Sequence, residues 1–468
     1  MNHPTVSNLC FVAWTFLLIA CRNCAHSNDT FISDQQLRVV PADIHERGLL
    51  YPLRFTPNEL IGENAAVRSG RALASLPAYK PSMDELQAFE YGRGKLNPPA
   101  ELLEYPVFAM LSQAAKCDRA DWGLPMIGLA QDKLLIPDIV KCRELARLLA
   151  AKSLVLQFKG QSTESIAADR ELLALARHLS QAQIVGPTMV GLEAADLFLS
   201  VVSYRVQQSN SPNLYWPLTT LSQSLVDIEP SVRGELYALE RTFPELSSIA
   251  TTQGSVQYWN DRLEYFLTRI RTTKVIINLR KTDSRDTFSA MLQTYPQAKQ
   301  RLARRGWNEE QLERMCASQL VLLDGFVQYH VDRDALEQHI CLPIRDAFSA
   351  LDKRADEMEE RDNKGVDLVS FSTAYLGEIH WLYHRIAKIQ SAMAILRTVE
   401  AIRAFAARND LKLPSKLEDI DFVPLPLDPQ TMKPVRYEVQ GDRATLVSTS
   451  PYGFPERVFL SIQNDTAK

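Results

Sequence analysis

The chain predicts a mostly α protein: a multi-helix body with stacked helical hairpins, plus a small C-terminal α+β element made of a long helix and a β-hairpin. Three observations predict it. Apolar residues recur at helical spacing from about residue 61 to 410. Leu172, Leu175 and Leu179 stand at i, i+3 and i+7; Ile395, Val399, Ile402 and Ala406 at i, i+4, i+7 and i+11. Both spacings put one apolar stripe on one helix face. Breakers fall between several of these runs, at Gly186-Pro187, Ser211-Pro212, Pro230, Gly306 and Pro343. After Asn409 the pattern changes to two short β-like runs around Gln440-Gly441-Asp442, the residue types of a hairpin turn.

Residues 1–21 read as a signal peptide. The apolar run from Leu9 to Ala20 is shorter than the ~20 residues a bilayer needs and has the length of a signal h-region. It ends in Leu18-Ile19-Ala20-Cys21, the pattern of a bacterial lipobox. That reading makes Cys21 the lipidation site. The protein would then be extracytoplasmic, in periplasm or cell envelope, held at a membrane by several acyl chains, because a single chain binds weakly. One feature departs from the pattern: residues 1–21 hold no Lys or Arg, only His3, whereas an n-region is positive. A cut elsewhere between Ala20 and Ala25, or an uncleaved anchor, are the alternatives. Cys21-Arg22-Asn23-Cys24 is also a C-x-x-C, but it lacks the strand–helix context of a redox motif. Residues 22–60, polar and broken by Pro41, Pro52 and Pro57, are expected as a flexible tether.

A length of 468 residues allows two or three domains and a real core. The 52 Lys and Arg are outnumbered by 56 Asp and Glu, so the net charge is −4. That balance argues against nucleic acid as a partner, which needs a basic surface. No segment after the first is expected to have the character of a transmembrane helix. Beyond Cys21 there are five cysteines, Cys24, Cys117, Cys142, Cys316 and Cys341. Their odd number and low density exclude a disulfide framework. Pairing of Cys117 with Cys142 and of Cys316 with Cys341 stays open, beside free buried thiols.

The helical body is expected over 61–390. Its clearest unit is a hairpin at 138–181. The first helix runs through Leu145, Leu148, Leu149 and Leu156, breaks at Lys159-Gly160-Gln161-Ser162, and a second begins near Thr163 with Glu164 in its first turn. The pair resembles one tetratricopeptide unit, without a 34-residue repeat elsewhere. Further helices are expected at 186–207, 255–280, 284–304, 308–332, 335–361 and 371–409. The charged stretch 351–362 reads as a solvated helix face. Over 391–468, the end of the last helix leads into a proline-rich passage, Leu413-Pro414 and Pro424 to Pro429. Strands at Val435 to Val439 and Ala444 to Ser448 follow.

Three stretches carry a resemblance: Pro212-Asn213-Leu214-Tyr215-Trp216-Pro217-Leu218 with Asp227 and Glu235; Tyr295-Pro296-Gln297-Ala298-Lys299 through Gly306 to Gln319-Leu320-Val321-Leu322; and Leu413-Pro414-Ser415-Lys416-Leu417 with Pro426-Leu427-Asp428-Pro429. Together they resemble a family of uncharacterised secreted proteins and lipoproteins of planctomycete bacteria. The resemblance implies an extracytoplasmic helical protein and transfers no activity. The third stretch is also similar to the C-terminal module of type II secretion major pseudopilins, where a long helix leads through a Leu-Pro-x-Asp-Pro loop into a β-hairpin. Here Met432-Lys433 replaces the usual glycine, and Tyr452-Gly453-Phe454 does not match the acidic calcium loop. Neither polymerisation nor calcium binding is implied.

His380 and His384 are four apart beside Glu378, a helical spacing zinc can use, but Trp381 stands where a His-Glu-x-x-His protease has its glutamate. A polar–aromatic packing face accounts for them as well. His330, Asp332, Asp334 and His339 would need a turn to converge on a metal. Gly92-Arg93-Gly94-Lys95 lacks P-loop spacing. Asp227, Glu229, Glu235 and Glu240 with Tyr215 and Trp216 supply the ingredients of a glycoside site, two carboxylates and an aromatic platform; capping and surface charge explain them equally. Lys299, Arg301, Arg304 and Arg305 make the strongest basic cluster, which Glu309, Glu310 and Glu313 are placed to neutralise. No catalytic, cofactor or metal set is therefore expected. The leading expectation is a non-catalytic, membrane-tethered envelope scaffold that binds another envelope protein. The alternative is a cell-envelope hydrolase acting on polysaccharide or peptide.

Overall fold

The computed structural model describes residues 34–90, 98–99, 101–124, 137–221, 225–276, 287–377, 379–449 and 457–463. The chain is mostly helical with a small sheet. The long helices are, in chain order, α1 (Pro137–Phe158), α2 (Ser162–Ser180), α3 (Val185–Arg205), α4 (Val256–Ile276), α5 (Thr287–Arg304), α6 (Ala317–Ile340), α7 (Ile344–Asn363) and α8 (Ile379–Arg408). The sheet holds β1 (Asp34–Val39), β2 (Arg436–Gln440), β3 (Arg443–Val447) and β4 (Arg457–Ile462). Contacts group the chain into two compact units. One is formed by Val232–Tyr383; the other gathers the described residues of 34–123, 137–231 and 384–463. This division differs from the expected boundary at 390, because the α1–α3 layer, the sheet and most of α8 share one unit.

In that larger unit the expected hairpin is present. Gly160, at φ +74°, turns the chain out of α1; the amides of Gly160 and Gln161 return to the carbonyls of Gln157 and Leu156 at 2.9 Å, which satisfies carbonyls the helix end leaves open. α3 then packs on both partners. It is apolar enough and long enough to cross a membrane, contrary to expectation, yet 72% of its apolar window is buried inside the fold. A helix apolar all round is a core helix when its neighbours cover it. Gly191 permits the close approach of α3 to α2: a Cβ there would stand 2.7 Å from the carbonyl oxygen of Ala176.

The sheet runs in the order β1-β4-β3-β2. The hairpin β2–β3 turns through Gly441, at φ +62°, as its residues predict. β4 lies antiparallel to β3. β1 lies parallel to β4, with Leu37 opposite Leu460. One face of the sheet, Leu37, Val39, Ala444, Leu446, Val458 and Leu460, is buried with Ile395, Val399 and Ile402 of α8. The stripe read from the sequence is thus the α8 side of this core.

The tether expected over 22–60 is corrected here for 34–60. Asp34–Val39 is a strand, and its Val40 amide donates to the Val206 carbonyl at 3.0 Å. A buried arginine on α8 holds the next residues. Arg403 is fully buried; its Nε donates to the Val40 carbonyl at 2.7 Å, Nη2 to the Ser211 carbonyl at 3.1 Å and Nη1 to the buried Glu400 carboxylate at 2.7 Å. Residues 1–33, with Cys21 and Cys24, lie outside the described residues.

The passage after α8 is pinned by Asp428. Its Oδ1 accepts from the amides of Gln430 and Thr431 at 3.0 Å, and its Oδ2 accepts from Ser391 of α8. Met432 adopts φ +53°, a left-handed conformation that disfavours a side chain.

In the smaller unit, Phe243, Phe266 and Phe371 meet edge to face at 5.1 and 5.7 Å. α5 keeps Pro296 inside it. The helices expected at 308–332 and 335–361 are placed differently: a short helix at Glu309–Glu313, then α6 and α7. No breaker stands near 333, so α6 runs on to Ile340, and Pro343 precedes the first residue of α7. Cys316 and Cys341 cap opposite ends of α6. At about 1.5 Å per residue that separates them by roughly 36 Å, far beyond disulfide reach. Cys117, Cys142, Cys316 and Cys341 are all thiols, which settles the pairings left open.

Gly191→Ala is expected to lower stability by about 1–3 kcal/mol, the cost of overpacking a rigid contact, read as a reduced midpoint in guanidinium unfolding. An unchanged midpoint would mean that α2 and α3 are not this close.

Candidate functional site

Most residues singled out by sequence serve as ion pairs and caps. In the smaller unit Asp332 is fully buried on α6 and lies against two arginines of α7, Arg354 at 3.4 Å and Arg361. Asp334 pairs with Arg333 at 2.7 Å. His330 faces Glu240 at 3.5 Å; burial first, then Arg333, pushes its pKa below the usual histidine value. His339 lies in the last turn of α6, where the helix dipole favours a basic group. Asp332 and His330 thus tie α6 to neighbouring elements.

The basic cluster on α5 is also taken up. Arg301 pairs with Asp324 of α6 and, at 3.6 Å, with Asp367. Lys299 pairs with Glu313, one of the acids expected to neutralise it, and Arg305 donates to Gln328. Arg304 is exposed.

The residues that could serve a glycoside site are taken up in packing, caps and ion pairs, as their alternative reading has it. Tyr215 is fully buried in the sheet core, and its hydroxyl donates to the Pro424 carbonyl. The Arg397 guanidinium stands 5.5 Å from its ring centroid. Trp216 lies on Gly48, where a Cβ would come within 2.7 Å of the indole. Neither ring is left as an open platform for a sugar. Asp227 accepts the Glu229 amide at 3.0 Å and caps the first turn of Glu229–Leu236. In the other unit, Glu240 accepts from Arg333 at 2.5 Å and from Tyr329 at 3.1 Å, and Glu235 is buried. His380 and His384 lie on α8, with His380 tilted against Trp381 at 4.7 Å. Among the described residues no group of three His, Cys, Asp or Glu side chains is placed to hold a metal. Glu378, Gly92 to Lys95 and Tyr452 to Phe454 lie outside the described residues.

Sequence reasoning missed three features. The first is a buried polar knot joining α1, α2 and α3. Arg205 and Asp169 form an ion pair with neither side chain exposed; Arg205 also donates to Gln157 at 2.6 Å and Ser165 at 2.9 Å. The second is an aromatic–arginine stripe on α4. Tyr258 and Tyr265 are 40% and 41% exposed, and Arg262 between them lies 5.7 and 5.9 Å from their ring centroids. Their spacing, i, i+4 and i+7, was legible as a helix face, but exposure was not.

The third is a cluster of arginines in the larger unit. Arg170 and Arg177, seven apart on α2, share one face. Arg170 lies over the Phe55 ring at 3.9 Å, and its Nη2 donates to the Arg54 carbonyl at 2.7 Å and to Glu59. Nε of Arg170 and both Nε and Nη2 of Arg177 are buried and meet no acceptor among the described residues. Burial, then the charges of Arg54 and Arg170, lowers Arg177 to about 10. In the same unit Met83, Leu86, Ala150, Leu154, Leu197 and Val201 line a shallow apolar cleft with Ser200. One hydroxyl gives that cleft little to orient a ligand with.

Searches against family models, curated proteins and solved structures find no match to this chain. Its function is therefore argued from its own residues.

Two predictions test the buried polar groups. Asp169→Ala leaves Arg205 buried and unpaired and is expected to cost about 3–5 kcal/mol, whereas Asp169→Leu with Arg205→Met recovers most of it; urea unfolding of the three proteins checks this. His178 is buried, donates from Nε2 to the Cys117 carbonyl at 2.9 Å, and burial lowers its pKa to about 4. Since the unfolded histidine titrates near 6.5, its contribution is complete above that pH and lost as pH falls toward 4. Relative to His178→Gln, the native protein should lose about 3 kcal/mol across that window; parallel stability–pH curves would refute the assignment.

Proposed function

We propose that this chain is a non-catalytic scaffold of the cell envelope that binds another envelope protein. The observation that carries the reading is the α4 face of Tyr258, Arg262 and Tyr265, with Val256 62% exposed in the first turn. Tyrosine and arginine dominate the strongly contributing positions of protein interfaces. Tyrosine offers large, rigid contact area at small entropic cost, and the arginine here is already ordered by its two rings. The envelope setting rests on Leu18-Ile19-Ala20-Cys21, with lipid on Cys21 as the tether, and is in keeping with the resemblance to secreted planctomycete proteins. The formal charge of −4 favours a protein partner over nucleic acid.

A crosslinked pull-down of the tagged full chain from native membranes tests both halves. A discrete envelope protein should be captured by the native chain and reduced at least about ten-fold by Tyr258→Ala with Tyr265→Ala, each a loss of interface-sized energy. Cys21→Ala should move the protein to the soluble fraction. Equal capture by the tyrosine double variant would overturn the interface, and unchanged membrane association of Cys21→Ala would overturn the tether.

A further inference from the structure

We infer that the N-terminus of α4 is a carboxylate site, built from the amides of Val256 and Gln257 and the indole N–H of Trp259. The carboxylate is what a partner on the α4 face contributes, so the inference deepens the scaffold reading and rests on it for the identity of that partner. α4 is 21 residues long, and such a helix presents about half a positive charge at its N-terminus. Ser255 caps it. Its hydroxyl accepts the Tyr258 amide at 3.1 Å, and its carbonyl accepts the Trp259 amide at 3.2 Å. The helix leaves the amides of Val256 and Gln257 without a partner of its own, and Val256 is 62% exposed.

The second observation is Trp259. It is 4% exposed, yet its Nε1 is a buried donor that meets no acceptor among the described residues. An unmade hydrogen bond of a buried donor is a standing cost to the fold. Helical side chains lean toward the N-terminus, and this one follows the rule. Nε1 lies 2.9 Å from the point where a Cβ would stand on Gly254, two residues before the start of α4. Tyr258 flanks the same point, with Cδ1 2.5 Å away. Gly254 is exposed, and having no side chain it leaves the approach to Nε1 open. The dipole selects an anion over a neutral carbonyl. The surrounding charge selects which anion. No Lys or Arg stands between Ala250 and Asp261; Asp261 is exposed one turn further along, and Arg262 already faces Glu245 at 3.7 Å. Those carboxylates disfavour a dianion such as phosphate. A carboxylate brings a single charge and two acceptor oxygens for the three donors. Val256 and Tyr258, 62% and 40% exposed, flank the site and offer apolar surface to the carbon chain that carries it.

The test follows the Trp259 indole N–H resonance of the isotope-labelled full chain, identified by its loss in Trp259→Phe. Three probes are titrated at fixed ionic strength, with chloride as the reference anion. N-acetyl-leucine carries the carboxylate of a chain end. The α-amide of N-acetyl-glutamate carries that of a side chain. N-acetyl-leucine amide carries none. The resonance should move downfield and saturate with one or both carboxylates, which names their source, and stay in place with the amide. Val256→Pro removes one amide donor at a position where proline suits a helix start, and should weaken binding about ten-fold. Should Val256→Pro fail to fold by circular dichroism, Gly254→Ala, whose Cβ would crowd Nε1, serves in its place with the same expected loss. No saturable shift with either carboxylate, an equal shift with the amide, or undiminished binding by the folded variant would overturn the site. Partner capture in the pull-down without a carboxylate response would overturn this inference alone and leave the scaffold reading standing. A carboxylate response without a captured partner would support the site and overturn the scaffold reading.

Discussion

The larger unit depends on a single buried guanidinium. Arg403 stands on α8, and its three nitrogens reach the backbone at Val40, the backbone at Ser211 and the carboxylate of Glu400. Asn213 completes the arrangement: its amide nitrogen donates to the carbonyls of Ala42 and Glu400 at 3.0 and 2.8 Å, and its side-chain oxygen accepts the Tyr215 amide at 3.0 Å. Segments separated by up to 363 residues are thus brought to one point. The constraint is strong because a fully buried arginine must satisfy its donors or pay desolvation unrelieved. It explains why a proline-broken polar stretch at the start of the described chain becomes part of the fold. β1 contributes only Leu37 and Val39 as buried apolar residues, too few to dock a strand by hydrophobic burial alone.

The same logic recurs where helices meet. Arg205 with Asp169 joins α1, α2 and α3. In the smaller unit Arg301 with Asp324 joins α5 to α6, and Arg361 with Asp332 joins α7 to α6. Such pairs add little net stability over apolar side chains of equal volume, yet they penalise every arrangement that separates them. Helical stripes rich in leucine and alanine are otherwise permissive about register and neighbour. Polar pairs at the crossings supply the discrimination.

The helical body was legible because its signal is local. The hairpin at 138–181, the α8 stripe and the Gly441 turn are written in spacing and residue type within a few turns of chain. The strand Asp34–Val39 was not, because its partner β4 lies more than 400 positions away and its own alternation rests on two apolar residues. The break between α6 and α7 was misplaced for a related reason: no breaker marks a boundary at 333, and the pairing of Asp332 with Arg354 and Arg361 that joins these helices is tertiary. Candidate site residues fared worst. Tyr215, Asp227, Asp332 and Arg301 carry chemical groups that catalysis also uses, and only their partners reveal that packing has absorbed them.

Those partners make the departures informative. When local and global requirements agree nearly everywhere, the positions that violate a rule mark where something besides folding has acted on the sequence. Among the described residues the most deeply buried arginines, Arg205, Arg385 and Arg403, meet carboxylates, whereas Arg177 has buried donors that meet no acceptor. Arg170 and Arg177 sit on a helix face otherwise given to leucine and alanine, beside a third arginine, with donors turned inward. A methionine or leucine at 177 would satisfy the fold with less repulsion and no orphaned N–H. That a guanidinium stands there instead costs stability, and the cost marks a position that apolar packing alone does not account for.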